Sequence, residues 1–571
     1  MSQRIVIDPI TRIEGHLRIE VVVDDNNIVK EACSASTLWR GIETVVKGRD
    51  PRDAGFFTQR VCGVCTFSHY KAGIIAVENA LGIVPPLNAI LTRTLMNSAL
   101  FLHDHVVHFY QLHALDFVDI VSALNADPKA ASEEAFKYAE IPYACGEDQL
   151  KLVQQRVKKF AEKGSLGPFA NAYYGHKTYH FTPEQNLIAL SHYLECLRIQ
   201  RVAAQLMAIF GGKQPHPQSL TVGGVTCVMD LLDPARLGEY LFKFNQVKDF
   251  VDRAYYADLV MAGKAYINEP SVLNDVGVNN LFTFKEFQVG KQDWIFDSGI
   301  ILNGDISKVL DVDESKITEE ATHSWYKNDA PLHPYDGETE PNYTGFNTEK
   351  TLNAKGELED TEVLDHKGKY SWIKAPRYNG LPMQVGPIAN IVVNYAKGNK
   401  YVVPVVEKFL KDSGLPLEAV FSTLGRTATR MIEAKVVSSN GLMALNNLIK
   451  NLKVDQETCA KYVIDPSKEY KGRYMGHVPR GTLSHWCRIK NGVIENWQAV
   501  VPSTWNASPK DSKNQMGSYE ACLIGLKIQD LTQPLEIIRK IHSYDPCIAC
   551  AVHVMDLKGN ELNTYKVNPN L

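Results

Sequence analysis

Two Cys-x-x-Cys pairs stand near opposite ends of the chain: Cys62-Gly-Val-Cys65, with His69 behind it, and Cys547-Ile-Ala-Cys550, with His553 behind it. Four thiolates from two distant segments are a donor set for a soft or borderline metal ion. On spacing alone, structural zinc is the commoner use of such pairs, and an iron–sulfur cluster is another. Zinc ribbons, however, are short units whose cores are too small to fold without metal. Here a long, hydrophobic-rich stretch separates the pairs, which points to a buried active centre joining the two ends of the chain.

The elements that must position these residues belong to a large globular chain. Its 571 residues, 45% hydrophobic and 22% charged, suffice for an extensive core. A formal charge of -4 and the lack of a Lys/Arg-rich run argue against nucleic acid as a partner. No apolar run approaches the roughly 18 residues that cross a bilayer, and Ser2 to Glu14 reads as a strand and turn without a signal-peptide core. The eleven cysteines are too sparse for a disulfide scaffold. The seven outside the pairs (Cys33, Cys145, Cys196, Cys227, Cys459, Cys487 and Cys522) read as buried small hydrophobes.

Residues 1–60 predict three strands, RIVI, LRIEVVVDD and IVKEACSAST, with a hairpin turn at Asp25-Asn26-Asn27. Helical periodicity without Gly or Pro predicts one long helix over 88–124, and a second over 183–210 that stops at Gly211-Gly212. Residues 296–375 read as polar loops with local strands such as GIILNG. Helices are expected within 397–452 and 516–542, and 473–507 reads as Pro/Gly-punctuated. With no repeat or linker, the expectation is α+β: one large intertwined domain with a long-helix core and peripheral sheets.

Further motifs surround the cysteines: Asp8-Pro-Ile-Thr-Arg-Ile-Glu-Gly-His16, Arg60-Val-Cys-Gly-Val-Cys65, His477-Val-Pro-Arg-Gly-Thr-Leu-Ser-His485 and Asp545-Pro-Cys-Ile-Ala-Cys-Ala-Val-His553. Gly41-Ile-Glu43, Gly48-Arg-Asp-Pro51, Gly211-Gly-Lys-Gln-Pro-His-Pro217 and Val501-Pro-Ser-Thr-Trp-Asn506 accompany them. In this order, over nearly the whole chain, the set closely resembles the large, catalytic subunit of nickel–iron hydrogenases, of the membrane-bound respiratory H2-uptake type.

The resemblance implies a Ni–Fe centre with carbon monoxide and cyanide on iron, Cys62 and Cys547 terminal on nickel, and Cys65 and Cys550 bridging the metals. Soft thiolates suit nickel across oxidation states, and Cys547 could also take the proton as dihydrogen splits. Glu14 would open the proton path, a task for a carboxyl whose pKa is raised by burial. Arg480 would hang over the open metal position with Asp104 and Asp545 around it. The histidines near Asp104 (His103, His105, His108 and His113) fall on more than one helix face, so packing and hydrogen bonding are expected of them. Glu43, the main-chain carbonyl of Ala499 and His553 would bind Mg2+, an oxygen-seeking ion for which histidine is unusual, and His216 would face the electron-accepting partner.

By the same resemblance, residues 1–553 form the catalytic domain and 554–571 an extension removed after His553 by a maturation protease, once nickel-insertion proteins have loaded the site. The chain has no cysteine series for an electron relay, so iron–sulfur clusters are expected only in a small subunit, followed by a membrane cytochrome b and quinone. The expected location is the periplasmic face of the cytoplasmic membrane, reached by folded export with the small subunit. A hydrogen-sensing subunit and a non-catalytic zinc or iron–sulfur scaffold are the competing readings; the extension argues against the first, the full motif set against the second.

Overall fold

The structure, a computed structural model, describes residues 3–163, 166–170, 172–274, 277–352 and 358–551. His553 and the extension 554–571 lie outside these residues, as does the side chain of Cys550. The architecture is α+β. Helices Leu87–Val107 and Pro183–Gly211 pack against each other, and Thr66–Leu81, Pro234–Phe250, Thr423–Asn440 and Leu442–Leu452 gather around them. Antiparallel sheets of two or three strands lie around this core. Cys62, Cys65 and Cys547 belong to the largest hydrophobic cluster.

The second long helix starts and stops by local chemistry. The Thr182 hydroxyl accepts from the Gln185 amide at 3.2 Å, and Gln185 Oε1 accepts from the Thr182 amide at 3.0 Å. Pro183 opens the first turn, and Gly212 caps the end at φ 80°. The first long helix is shorter than the periodicity predicts. It runs as α-helix over Leu87–Val107, widens to a π turn over His108–His113 and tightens to a 3-10 turn over Ala114–Asp116. Asp119 then caps a separate helix, Ile120–Ala123, by accepting from the Ser122 amide at 2.9 Å. A π turn re-aims side chains without breaking the apolar pattern, so hydrophobic spacing does not reveal it.

The N-terminal strands form as expected, Gln3–Ile7, Leu17–Val23 and Val29–Ser36 pairing in order, with Asn27 in the left-handed region at the turn. Their apolar face packs with Tyr519, Ile537, Ile541, Tyr544 and Ile548 in a second cluster. Burial of each such side chain contributes roughly 1.5–3 kcal/mol, and this cluster holds the last part of the described chain against the first. Two expectations fail nearby. Residues 473–507, read only as Pro/Gly-punctuated, carry the longest described strands, Tyr470–Val478, Gly481–Lys490 and Val493–Val500. The middle strand is buried on both faces, which removes the alternation that signals a strand. Residues 516–542 fold as two short helices, Ser518–Leu523 and Leu535–His542, separated by a turn-rich stretch that ends at Pro534.

Candidate metal centre

Cys62 follows the short turn Gln59–Val61, and Cys65 sits just before the first turn of helix Thr66–Leu81. Amides of Val64 and Cys65 donate to the Cys62 sulfur at 3.1 and 3.2 Å. Two backbone N–H groups just before the helix thus point at the sulfur, which favours a thiolate. Cys547 arrives from the other end of the chain, its amide donating to Ser503 Oγ at 3.1 Å. Its Sγ stands 3.3 Å from Cys62 Sγ and 3.8 Å from Cys65 Sγ. All three cysteines are buried, their sulfurs lie within 4.8 Å of one another, and none is in a disulfide. Cys550 lies on the following helix, Ile548–Ala551, one turn beyond Cys547.

Glu14 is fixed to this segment by backbone as well as side chain. Its amide donates to the Pro546 carbonyl at 3.3 Å, and the Ile548 amide donates to its own carbonyl at 2.8 Å. The Cys547 thiol donates to Glu14 Oε2 at 3.3 Å, and the Ala549 amide to the same oxygen at 3.0 Å. Burial, with the Cys62 charge adding to it, pushes the Glu14 carboxyl up to about 7 despite these bonds and Arg480. So close an approach needs Gly15, which sits at φ 87°; a Cβ there would lie 2.5 Å from the Ala549 nitrogen.

Arg480 donates to Asp104 Oδ2 at 2.8 Å and pairs with Asp545 Oδ1 at 3.2 Å. Burial works against its charge, but Asp545, Cys547, Asp104 and Cys65 together outweigh burial and hold its proton well above the usual arginine range. The Asp545 carboxyl is raised by burial, although Arg480 and Arg430 pull it back. Arg480, Ser503, Cys65 and Cys547 share the walls of one small cavity with His69 and Ser68. His69 Nδ1 meets His485 Nε2 at 3.1 Å, and burial lowers the His69 pKa to about 4, so the ring is neutral.

Of the expected oxygen-ligand site, Glu43 and Ala499 lie side by side. Ala499 presents its amide, not its carbonyl, to Glu43: the N–H donates to Oε1 at 2.8 Å, Thr339 donates to Oε2 at 2.5 Å, and Lys374 Nζ lies 3.8 Å away. The third expected ligand, His553, lies outside the described residues. The His216 amide donates to Thr66 Oγ1 at 3.1 Å, which places it on the Cys65 side of the centre. The histidines near Asp104 bond separate partners, His105 Glu433 at 2.7 Å, His108 the His542 carbonyl at 2.8 Å and His113 Asp116 at 3.0 Å, while the His108 and His113 rings lie 5.5 Å apart. Cys459 is exposed, against the expectation that the seven scattered cysteines are all buried. Residue types alone did not single out Ser503, Arg430 or His485, although Ser503 and His485 lie inside the motifs Val501–Asn506 and His477–His485.

An α+β chain that draws buried thiols from both ends into one cluster, with a carboxyl on one sulfur and a guanidinium beside it, is built to hold a metal ion next to groups that can move a proton. Soft sulfur donors fit nickel and iron, and sulfurs this close need cations or protons between them. A family model described as nickel-dependent hydrogenase matches residues 40–553, and a HoxL-like model matches residues 4–35. The chain is 65% identical to the quinone-reactive Ni/Fe-hydrogenase large chain of Wolinella succinogenes, covering 100% of this chain and 99% of that one. It is 45% identical to the uptake hydrogenase large subunit of Rhizobium leguminosarum bv. viciae, covering 99% and 98%. The Ni-Fe-Se hydrogenase of D. vulgaris Hildenborough superposes with a TM-score of 0.76 at 30% identity, covering 97% and 100%. The chain belongs to the nickel-dependent hydrogenase family, as its large, catalytic subunit.

Proposed function

We propose that this subunit catalyses H2 uptake, the reversible heterolytic oxidation of H2 to two protons and two electrons. The electrons would pass through an iron–sulfur small subunit to a membrane cytochrome b and quinone. The observation that carries this reading is the Cys62–Cys65–Cys547 cluster with Glu14 bonded to one sulfur. Cys62, Cys65, Cys547 and Cys550 would hold a nickel–iron centre with carbon monoxide and cyanide on iron, which would supply the redox chemistry of H2 cleavage.

The chain's own residues then handle the proton and the charge. Cys547 Sγ takes a proton and passes it over 3.3 Å to Glu14 Oε2. A carboxyl held at about 7 accepts and releases that proton near neutrality. Arg480, fixed by Asp104 and Asp545, keeps a positive charge beside the sulfurs. Burial of all three sulfurs keeps bulk water from the reaction.

Glu43, the main-chain carbonyl of Ala499 and His553 would hold Mg2+; the Ala499 amide, bonded to Glu43 at 2.8 Å, keeps that segment beside the carboxylate, and the Glu43 oxygens keep lone pairs for a cation. Residues 554–571 would be removed after His553 by a protease once nickel-insertion proteins have acted, leaving 1–553 as the catalytic domain. The mature complex would sit on the periplasmic face of the cytoplasmic membrane through its partners; no described helix is long and apolar enough to cross a membrane. Infrared spectroscopy of the purified complex tests the centre: bands of metal-bound carbon monoxide and cyanide that shift under H2, with H2-dependent quinone reduction, are expected. Protein free of nickel and of those bands would refute it. Intact-mass measurement of the active enzyme tests the extension.

A further inference from the structure

Away from the metal cluster, Cys145, His192 and Asp258 form a buried nucleophile–base–carboxylate line. His192 Nδ1 lies 2.8 Å from Asp258 Oδ1, and its Nε2 lies 2.8 Å from the Tyr143 carbonyl and 3.3 Å from Cys145 Sγ. The Cys145 thiol donates to the same carbonyl at 3.1 Å. Asp258 is held in turn by the Tyr110 hydroxyl, which donates to Oδ2 at 2.6 Å. Both ring nitrogens of His192 therefore face pure acceptors, a carboxylate and a carbonyl, and satisfying both takes a proton on each. Burial opposes that charge, but Asp258 and Cys145 together outweigh it and raise the His192 pKa well above the ordinary value.

The loop that carries Cys145 is held in place from several sides. Ala144 adopts φ 50°, a left-handed conformation that L-residues rarely take. Ser191 donates to its carbonyl at 2.7 Å, while Arg253 donates to the carbonyls of Ile141 at 2.9 Å and Pro142 at 3.2 Å. Cys145 is buried, and Gly146 beside it is exposed. Burial raises the pKa of Cys33, Cys196, Cys227 and Cys487 and holds each as a thiol.

We infer that Cys145, with His192 and Asp258, is a peroxide-reactive thiol, a reversible oxidation site separate from the metal centre. Sγ attacks one oxygen of hydrogen peroxide; the S–O bond forms as the O–O bond breaks. The leaving hydroxide takes a proton from His192 Nε2, which regains one from the thiol. The balance is Cys–SH plus H2O2 giving Cys–SOH plus H2O, with sulfur oxidised by two electrons and peroxide reduced. Negative charge shed by the leaving group thus meets a proton donor already in place, and a thiol reductant would reverse the product.

The test uses the purified complex with its small subunit, given a brief pulse of hydrogen peroxide under anaerobic conditions and then denatured in dimedone. Peptide mass spectrometry is expected to find the adduct on Cys145 at least tenfold above Cys196 and Cys487 in the same digest. His192→Gln is expected to lower it at least tenfold. Equal labelling of Cys145 and Cys196 in the native enzyme overturns the inference, as does undiminished labelling in a folded H192Q complex. If H192Q does not assemble, the native comparison decides by itself.

Discussion

Glu14 and Cys547, 533 residues apart in sequence, are joined twice: thiol to carboxylate at 3.3 Å and, through an isolated parallel bridge, backbone to backbone. The bridge keeps the carboxyl within reach of the sulfur. Glu14→Gln keeps the size and removes the exchangeable proton. Nickel content should stay unchanged while H2 turnover falls about 100-fold or more, the scale of a lost acid–base group. Metal analysis alongside H2 uptake checks this, and uptake at the parent rate would remove Glu14 from the proton path.

Cys62 receives two amide hydrogen bonds at its sulfur, a setting made for a thiolate. Cys62→Ser offers a harder, far less acidic oxygen. Nickel should drop to background and H2 consumption with it, measured by elemental analysis of the isolated complex. Full nickel occupancy in the serine variant would show that this sulfur is not a ligand.

Arg480 answers two buried carboxylates at once. Arg480→Ala leaves Asp104 and Asp545 without that partner and should cost about 3–5 kcal/mol, as broken buried ion pairs do. Arg480→Lys restores charge without the planar fork; it should recover most of the melting temperature but not the turnover. Thermal denaturation and H2 uptake on both variants separate the two roles, and a lysine variant with full turnover would reduce the guanidinium to a plain counter-charge.

Glu520, fully buried, accepts from the Ser34 amide at 3.0 Å and the Tyr370 hydroxyl at 2.9 Å, and burial still lifts its pKa from 4.5 to about 7. The folded state therefore binds this proton more tightly than the unfolded chain. Its stabilising share is fully present below pH 4.5 and is lost as pH rises through about 7. The loss is roughly 3 kcal/mol at about 1.36 kcal/mol per pH unit. Glu520→Gln should flatten that part of the stability–pH curve, read by urea denaturation across the window; an unchanged slope would assign the proton elsewhere.

Motifs were the most legible layer. Cys62, Cys65, Cys547, Glu14, Arg480, Asp104 and Asp545 were named from sequence, and the described ones come together in one place. Helix Pro183–Gly211 was legible because its apolar periodicity and the glycines at its end are local signals. The break after Val107 was not, because the π turn exists to bury His108 and His113 against partners hundreds of positions away. The strand Gly481–Lys490 was hidden by burial on both faces. Asp116, which pairs with Arg12 at 2.5 Å and lies 2.7 Å from His542, could not be singled out, since no spacing links the three.

Residue type and order alone determined the sulfur donors, the acidic and basic groups around them and the family, because chemistry at a metal restricts which side chains can serve. Only the tertiary structure decided that Ala499 meets Glu43 by its amide, that Glu14 is raised to about 7 and that Cys145 lies against His192. Those are matters of distance and burial, set by the packing of segments from opposite ends of the chain, and no one-dimensional pattern encodes them.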